Sequence, residues 1–299
     1  MPPFFQSLEP RLLFSATPSH KSTAVPQYDH IVIVMEENTS YSQILGPSIS
    51  PPTAFNLNNW PTLLQTPMLP AQDTYIRSLA RTSAVFTNAH AITHPSQPNY
   101  IALFSGSAQG VTSDATPTAQ FSAPSLGGQL IAAGKSFTGY AEDLPKAGYT
   151  GNDHGNYARR HNPWVNFTDV PASSNLSFVR FPKNYSQLPS LSFVIPNINH
   201  DMHSGSIQEG DLWLQSHLSA YAKWAHAHNS LLIVAWDEDS GTASNHIPLI
   251  FSGAHIRPGQ YNEPVTDYRL LNTLESSFSL PPLANAAMQL PITDAFTTS

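Results

Sequence analysis

His30-Ile31-Val32-Ile33-Val34-Met35-Glu36-Glu37-Asn38 is the stretch on which the fold turns. Its unbroken apolar, β-branched run predicts a strand buried on both faces, as in a parallel sheet covered by helices. A second run, Leu231-Leu232-Ile233-Val234-Ala235-Trp236, ends in the same manner, in Asp237-Glu238-Asp239. Shorter runs at Ser192-Phe193-Val194-Ile195 and Pro248-Leu249-Ile250-Phe251, stopped by Pro196-Asn197 and Ser252-Gly253, predict two more strands. Between them lie amphipathic stretches. Leu214, Leu218, Tyr221 and Ala225 recur at steps that place them on one helix face, and Arg269 to Phe278 reads as another helix closed by Pro281-Pro282. The pattern predicts an α/β protein: a mostly parallel central sheet flanked by helices in a single large domain.

Working outward, residues 1–27 read as a segment separate from the folded part, residues 28–299. Met1 to Thr17 lacks the apolar run of a secretory signal, yet Leu8-Glu9-Pro10-Arg11-Leu12-Leu13 is similar to a segment at the start of many exported bacterial proteins. That likeness implies a periplasmic, cell-surface or extracellular location; an unstructured tail is the alternative. Asn56 to Pro70 and Asn152 to Gln187 read as long irregular excursions, which in compact domains are often functional.

Composition removes several classes. Of 299 residues only 11% are charged, the net charge is −7, and no Lys/Arg block exists to hold a nucleic-acid backbone. The longest apolar run, Leu231 to Trp236, is far short of the ~20 residues that span a bilayer. With no cysteine, disulfides, thiolate metal sites and a cysteine nucleophile are all excluded. The expected partner is small or neutral.

Both principal strands carry acids just past their carboxyl ends, the edge where open α/β sheets bind ligands. If Glu36, Glu37 and Asn38 converge with Asp237 and Glu238, their mutual repulsion favours a bound cation; otherwise they are ordinary caps and solvated turns. Thr93-His94-Pro95-Ser96-Gln97-Pro98-Asn99-Tyr100 precedes an apolar run. It places Ser96 at a helix start, with Pro98 in the first turn and free amides facing an anion. No Gly-x-Ser-x-Gly elbow supports an acyl hydrolase. His161, His200, His203 and His246 form a third group, whereas His217, His226 and His228 read as solvated. Asp153-His154-Gly155 imitates a two-metal phosphatase motif but lacks the buried strand before it.

Taken together these stretches resemble the phosphoesterase family of bacterial acid phosphatases and non-specific phospholipases C, a branch of the alkaline-phosphatase superfamily. Seven motifs occur in order from about Tyr28 to Asp294. They are the strand into Glu37-Asn38 with Tyr41 and Gly46; His94-Pro95-Ser96 to Tyr100 with Ser105-Gly106; His161-Asn162-Pro163-Trp164; Pro196-Asn197 with Asp201 and His203; Asp211 with Trp213-Leu214; Asp237-Glu238; and His246-Ile247-Pro248.

The resemblance implies an alkaline-phosphatase-like fold and one divalent metal ion (Zn, Ca, Mg or Mn) held by Glu37, Asn38, Ser96, Asp237 and Glu238. It implies Ser96 as nucleophile through a phosphoserine, with His161 and His203 catalytic at the phosphate and Asn38, His94 and His246 further substrate contacts. Glu36 is then the outward neighbour of Glu37. A serine at the nucleophile position implies a phosphomonoesterase of acid-phosphatase type, and the resemblance implies a small phosphorylated substrate or a phospholipid head group as partner. The alternatives are a phospholipase C or phosphodiesterase with Trp60, Trp164 and Phe167 at a lipid-facing rim, and an inactive phospho-ligand-binding envelope protein.

Overall fold

A computed structural model describes residues 24–46 and 74–297. Residues 1–23, with the export-like motif, and the excursion from Asn56 to Pro70, with Trp60, lie outside the described residues. The strands are β1 (His30–Glu36), β2 (Ala84–Phe86), β3 (Phe137–Ala141), β4 (Asn175–Ser177), β5 (Leu191–Ile195), β6 (Ser230–Trp236), β7 (Leu249–Gly253) and β8 (Gly259–Tyr261). The helices are α1 (Tyr41–Ile44), α2 (Tyr75–Arg81), α3 (Ser96–Ser105), α4 (Leu126–Ala132), α5 (Ile207–Ala225) and α6 (Asp267–Ser277).

One eight-stranded sheet runs β4-β3-β5-β1-β6-β7-β2-β8. Only β7 runs antiparallel to its neighbours, β6 and β2. The two runs that predicted buried strands are the adjacent central strands β1 and β6, paired in register from His30 opposite Ser230 to Glu36 opposite Trp236. That pairing brings the acids after them side by side. Every residue of β6 is buried, and in β1 all but His30, so helices cover both faces. α3 packs with α4 and α6, while α2 packs with α5. On α5 the predicted stripe Leu214, Leu218, Tyr221 and Ala225 is wholly buried. No helix among the described residues is long and apolar enough to cross a membrane.

Trp164 and Phe167 depart from the expectation of a lipid-facing rim: they are 1% and 0% exposed. Trp164 lies flat on the backbone of β3 at Gly139, where a Cβ would come within 2.2 Å of its ring, and its indole N–H donates to Asn175 Oδ1. Glu36 is also corrected. It is fully buried rather than outward-facing, because successive strand residues alternate faces and both faces of β1 are covered.

Candidate active site

α3 begins where predicted. Pro95 precedes it in extended conformation, Ser96 is its first helical residue, and Pro98 falls in the first turn. Gly106 closes it in the left-handed region at φ 73°; a Cβ there would meet the Leu283 carbonyl oxygen at 2.3 Å, so only glycine fits. The N-terminus of α3 faces the carboxyl ends of β1 and β6.

Glu37 is the hub. Ser96 Oγ lies 3.1 Å from Glu37 Oε2 and 3.1 Å from Glu238 Oε1. A hydroxyl owns one proton, so it satisfies one of these carboxylates and leaves the other facing a lone pair. Tyr100 donates its hydroxyl to Glu37 Oε1 at 2.6 Å. His161 Nε2 lies 3.1 Å from Glu37 Oε1, and His203 Nδ1 lies 3.1 Å from Oε2. Asn38 Nδ2 is 2.9 Å from the same His203 nitrogen. One ring nitrogen cannot serve both: protonated, Nδ1 donates to Glu37; bare, it accepts from Asn38.

The titratable groups respond to this crowding. Burial, reinforced by Glu37 and Glu238, pushes the Asp237 carboxyl well above its ordinary range. Burial also raises Glu238, against the pull of His94. His161 is pushed down to about 4 by burial, which outweighs the Glu37 carboxylate, so its ring is neutral near pH 7. Its Nδ1 faces Asp201 Oδ2 at 3.1 Å. A neutral ring donating there presents a bare Nε2 lone pair toward Glu37. Asp201 is itself raised to about 7, mainly by burial, and accepts the His203 backbone N–H at 2.8 Å. The hydrogen bond to Glu37 raises His203 above the usual histidine range.

His94 sits at the rim, with Nδ1 2.5 Å from Glu238 Oε2 and Nε2 3.1 Å from the Thr242 carbonyl. Partial burial opposes its charge, but the carbonyl and carboxylate prevail and its pKa is raised. His246 is placed elsewhere. Its ring is stacked between Tyr41 (4.6 Å) and His90 (4.9 Å), and Nε2 is 3.1 Å from the Thr87 carbonyl. Its backbone N–H donates to Asp239 Oδ2 at 3.2 Å.

The chemistry of the donors fits a cation. Asn38 Oδ1 and Asp237 Oδ2 are buried and accept no hydrogen bond among the described residues, and His161 Nε2 lacks an aligned partner. Asn38 holds this position with φ 45°, a conformation asparagine tolerates better than most residues, while its N–H lies 3.3 Å from Asp237 Oδ1. Glu37, His161 and His203 also bring three ligand atoms within 4.8 Å of one another. A ligating histidine commonly gives its other N–H to a carboxylate, as His161 does to Asp201.

Three participants had no role assigned from sequence. Tyr100 was legible as the residue one helical turn after Ser96, on the same face. Asp201 was quoted in a motif, but its support of His161 is a tertiary contact. Arg160 was not legible: its Nη2 lies 3.3 Å from His203 Nε2, and its Nη1 donates to Asp153 Oδ2 at 2.8 Å. Asp153, the imitation motif, thus holds an arginine. His217, His226 and His228 are exposed, as expected, although His217 and His228 stack on Trp213 and Trp224.

A model described as the Phosphoesterase family matches residues 66–281. The phosphatidylinositol-3-phosphatase of Mycobacterium tuberculosis (strain ATCC 25618 / H37Rv) is 46% identical over 275 residues, 91% of this chain and 84% of that protein. An acid phosphatase of Aspergillus fumigatus is 27% identical over 235 residues, 71% of this chain and 52% of that protein. The chain thus spans about half the length of that fungal relative. Among solved structures, a protein in the alkaline phosphatase superfamily from Vibrio parahaemolyticus superposes with a TM-score of 0.58 at 14% identity, covering 91% of this chain and 72% of the other. A phosphonate monoester hydrolase from Silicibacter pomeroyi gives 0.52 at 12%, covering 89% and 76%. Such distant structures speak to the fold, which is alkaline-phosphatase-like; the sequence matches speak to the lineage, and by them the chain belongs to the phosphoesterase family and is a phosphoric ester hydrolase.

Proposed function

We propose that the chain is a metal-dependent phosphomonoesterase of acid-phosphatase type that works through a phosphoserine on Ser96. The observation that carries the reading is the hydroxyl of Ser96, at the start of α3, set 3.1 Å from two carboxylates at once. Glu37, Asn38, Ser96, Asp237 and Glu238 would hold one divalent cation, with His161 and His203 flanking it. When bound, such an ion lowers the pKa of a hydroxyl and offsets charge on a phosphoryl group.

The chain's own residues do the rest. Glu37 and Glu238 orient Ser96 Oγ, and one of the two accepts its single proton as the oxygen attacks phosphorus in line with the leaving alcohol. The Gln97 N–H at the start of α3 is taken by Asp114 Oδ1 at 3.0 Å and Pro98 has none, so the helix start supplies its dipole and the Ser96 N–H toward the phosphoryl oxygens. His203, with its raised pKa, is the proton donor to the departing alkoxide. Water then cleaves the phosphoserine, releasing inorganic phosphate and restoring the hydroxyl. Tyr100 and Asp201 position Glu37 and His161 without touching substrate.

The name of the Mycobacterium relative directs attention to phosphoinositide monoesters, and we carry that class to this chain. The phospholipase C alternative loses its described support because Trp164 and Phe167 are core residues. The N-terminal motif keeps export within the proposal, to be read by cell fractionation.

The test is hydrolysis of p-nitrophenyl phosphate by the full chain, with and without a chelator, beside Ser96→Ala. Activity abolished by the chelator and restored by a divalent ion is expected, as is a folded, inactive variant. Rapid quenching with labelled substrate is expected to trap label on the peptide containing Ser96. Turnover by Ser96→Ala at the wild-type rate overturns the nucleophile assignment.

A further inference from the structure

Beside β3 and β4 the surface opens into a cavity of about 930 Å³, at the large end of the roughly 300–1,000 Å³ typical of small-molecule sites. A phosphate group alone fills little of it. Its walls are the acids Glu142 and Asp143 after β3, the turn from His154 to Asn156, the segment from Ser177 to Tyr185, and Ser216 and His217 of α5.

Two of these walls also brace the active site. Asp153, just before the turn, holds the Arg160 that reaches His203. Asn197 donates its backbone N–H to Glu142 and its side-chain amide to Asp143, at the start of the loop that carries Asp201 and His203. The Ile198 N–H donates to the Asn156 carbonyl across the two loops. These contacts tie the walls of the cavity to the loops that carry Arg160, His161, Asp201 and His203.

The chemistry of the walls selects an occupant. Glu142 Oε2 and Asp143 Oδ2 are taken by Asn197 and His200, whereas Glu142 Oε1 and Asp143 Oδ1 accept nothing from the described residues. Two carboxylate oxygens repel an anion at that end and call for O–H donors. Phe178 and Phe181 stack at 5.3 Å and supply an apolar wall for the C–H face of a ring. Lys183 is the one Lys or Arg among the lining residues. Exposed Arg180 lies three positions before it, so two of the 13 basic residues of a chain of net charge −7 fall in this short segment.

We infer that this cavity binds the alcohol part of the substrate: a polyhydroxylated ring that donates hydroxyls to Glu142 and Asp143, rests on Phe178 and Phe181, and carries a second anionic group facing Lys183. The inference rests on the phosphomonoesterase reading of the Ser96 site. A quaternary ammonium would suit the acids and rings but is opposed by Lys183.

Two experiments test it on the full chain with Lys183→Glu and Ser216→Trp. The first variant reverses the charge; the second fills the cavity from an exposed helix position. Steady-state kinetics compare p-nitrophenyl phosphate with water-soluble dibutanoyl phosphatidylinositol 3-phosphate. Both variants are expected to keep kcat/KM for the aryl ester within twofold of wild type while KM for the inositol ester rises at least tenfold. Equal losses on the two esters, or an unchanged KM for the inositol ester, overturn the inference. Calorimetric titration with glycerophosphoinositol, which has the ring and the diester but no monoester, reads the cavity without turnover. Wild type and Ser96→Ala are expected to bind it equally, and the two cavity variants at least tenfold more weakly. No binding to wild type, or preference for glycerophosphocholine, overturns the inference, whereas an active Ser96→Ala would instead overturn the catalytic reading.

Discussion

Tyr100 donates its hydroxyl to Glu37 Oε1 at 2.6 Å, one helical turn beyond Ser96, whose own hydroxyl lies 3.1 Å from the other oxygen of that carboxylate. One face of α3 therefore fixes both oxygens of Glu37. Strand β1 supplies the carboxylate and α3 sets its orientation. The price of a fully buried Glu37 is offset by the Tyr100 and Ser96 hydroxyls and by protonated His203, not by His161, whose bare Nε2 faces the carboxylate.

Tyr100→Phe tests that division of labour. The ring would still stack on His161, 5.3 Å away and nearly parallel, so packing is retained and only the hydroxyl is lost. A hydrogen bond to a charged group contributes about 1.5–3 kcal/mol, which predicts a fall in kcat of about 10- to 100-fold with little change in KM. Far-ultraviolet dichroism confirms folding, and an unchanged kcat would show that Glu37 needs no such anchor.

Asp237 opposes stability in the absence of a cation. Burial together with Glu37 and Glu238 raises its carboxyl pKa in the folded chain, whereas an unfolded aspartate titrates near 3.9. Between those values the folded state holds a proton that the unfolded state has released, so stability falls as pH rises. In chelator, wild type is expected to melt at a lower temperature at pH 8 than at pH 5, with a shallower slope for Asp237→Asn. Added divalent ion is expected to raise the wild-type Tm more than that of the variant while only wild type recovers full activity. Parallel pH slopes would remove Asp237 from the repulsive cluster.

Much of this was legible in the sequence because its signals are local. The unbroken runs became β1 and β6, and their in-register parallel pairing explains why Asn38 and Asp237, 199 positions apart, meet. Ser96 at the start of α3 followed from proline placement. What was not legible is set by tertiary contact. β2, β4 and β8 have three residues each, too short for an alternating pattern to register. Arg160 lies in irregular chain and acquires its place only when Asp153 and His203 are brought around it. Trp164 looked like a rim residue because it stands in a long irregular excursion, yet the groove that receives it is made by Gly139 on another element.

Glu36 offers a stability test outside the site. Its carboxyl is fully buried, and neither oxygen has a hydrogen-bond partner among the described residues. Burial, reinforced by Asp201 and Glu37, raises its pKa well above the ordinary glutamate range. The folded state again holds the extra proton, so its contribution is full below the unfolded glutamate pKa and declines as pH rises through the neutral range. Glu36→Gln is expected to melt above wild type at pH 8, with the advantage shrinking toward pH 4. The same difference at both pH values would mean that the carboxyl does not remain protonated in the folded chain.

Arg160 is the strongest candidate for a residue that grips the phosphate yet lies outside the predicted set. One guanidinium nitrogen is bound to Asp153 at 2.8 Å, and the other points to His203 Nε2 at 3.3 Å. A guanidinium offers several donors in a fixed fork, so beyond the two directed at Asp153 and His203 it has N–H groups with which to bind a phosphoryl oxygen when substrate arrives. Arg160→Ala is expected to raise KM for p-nitrophenyl phosphate about 10- to 100-fold, corresponding to the roughly 1.5–3 kcal/mol of a hydrogen bond to a charged group. Arg160→Lys keeps the charge but not the fork and is expected to recover only part of that loss. Asp153→Asn leaves the guanidinium in place but loosens its hold, which predicts a smaller rise in KM. Phosphate inhibition constants should follow the same order. An Arg160→Ala enzyme with wild-type KM and wild-type phosphate inhibition would confine the arginine to supporting the loop.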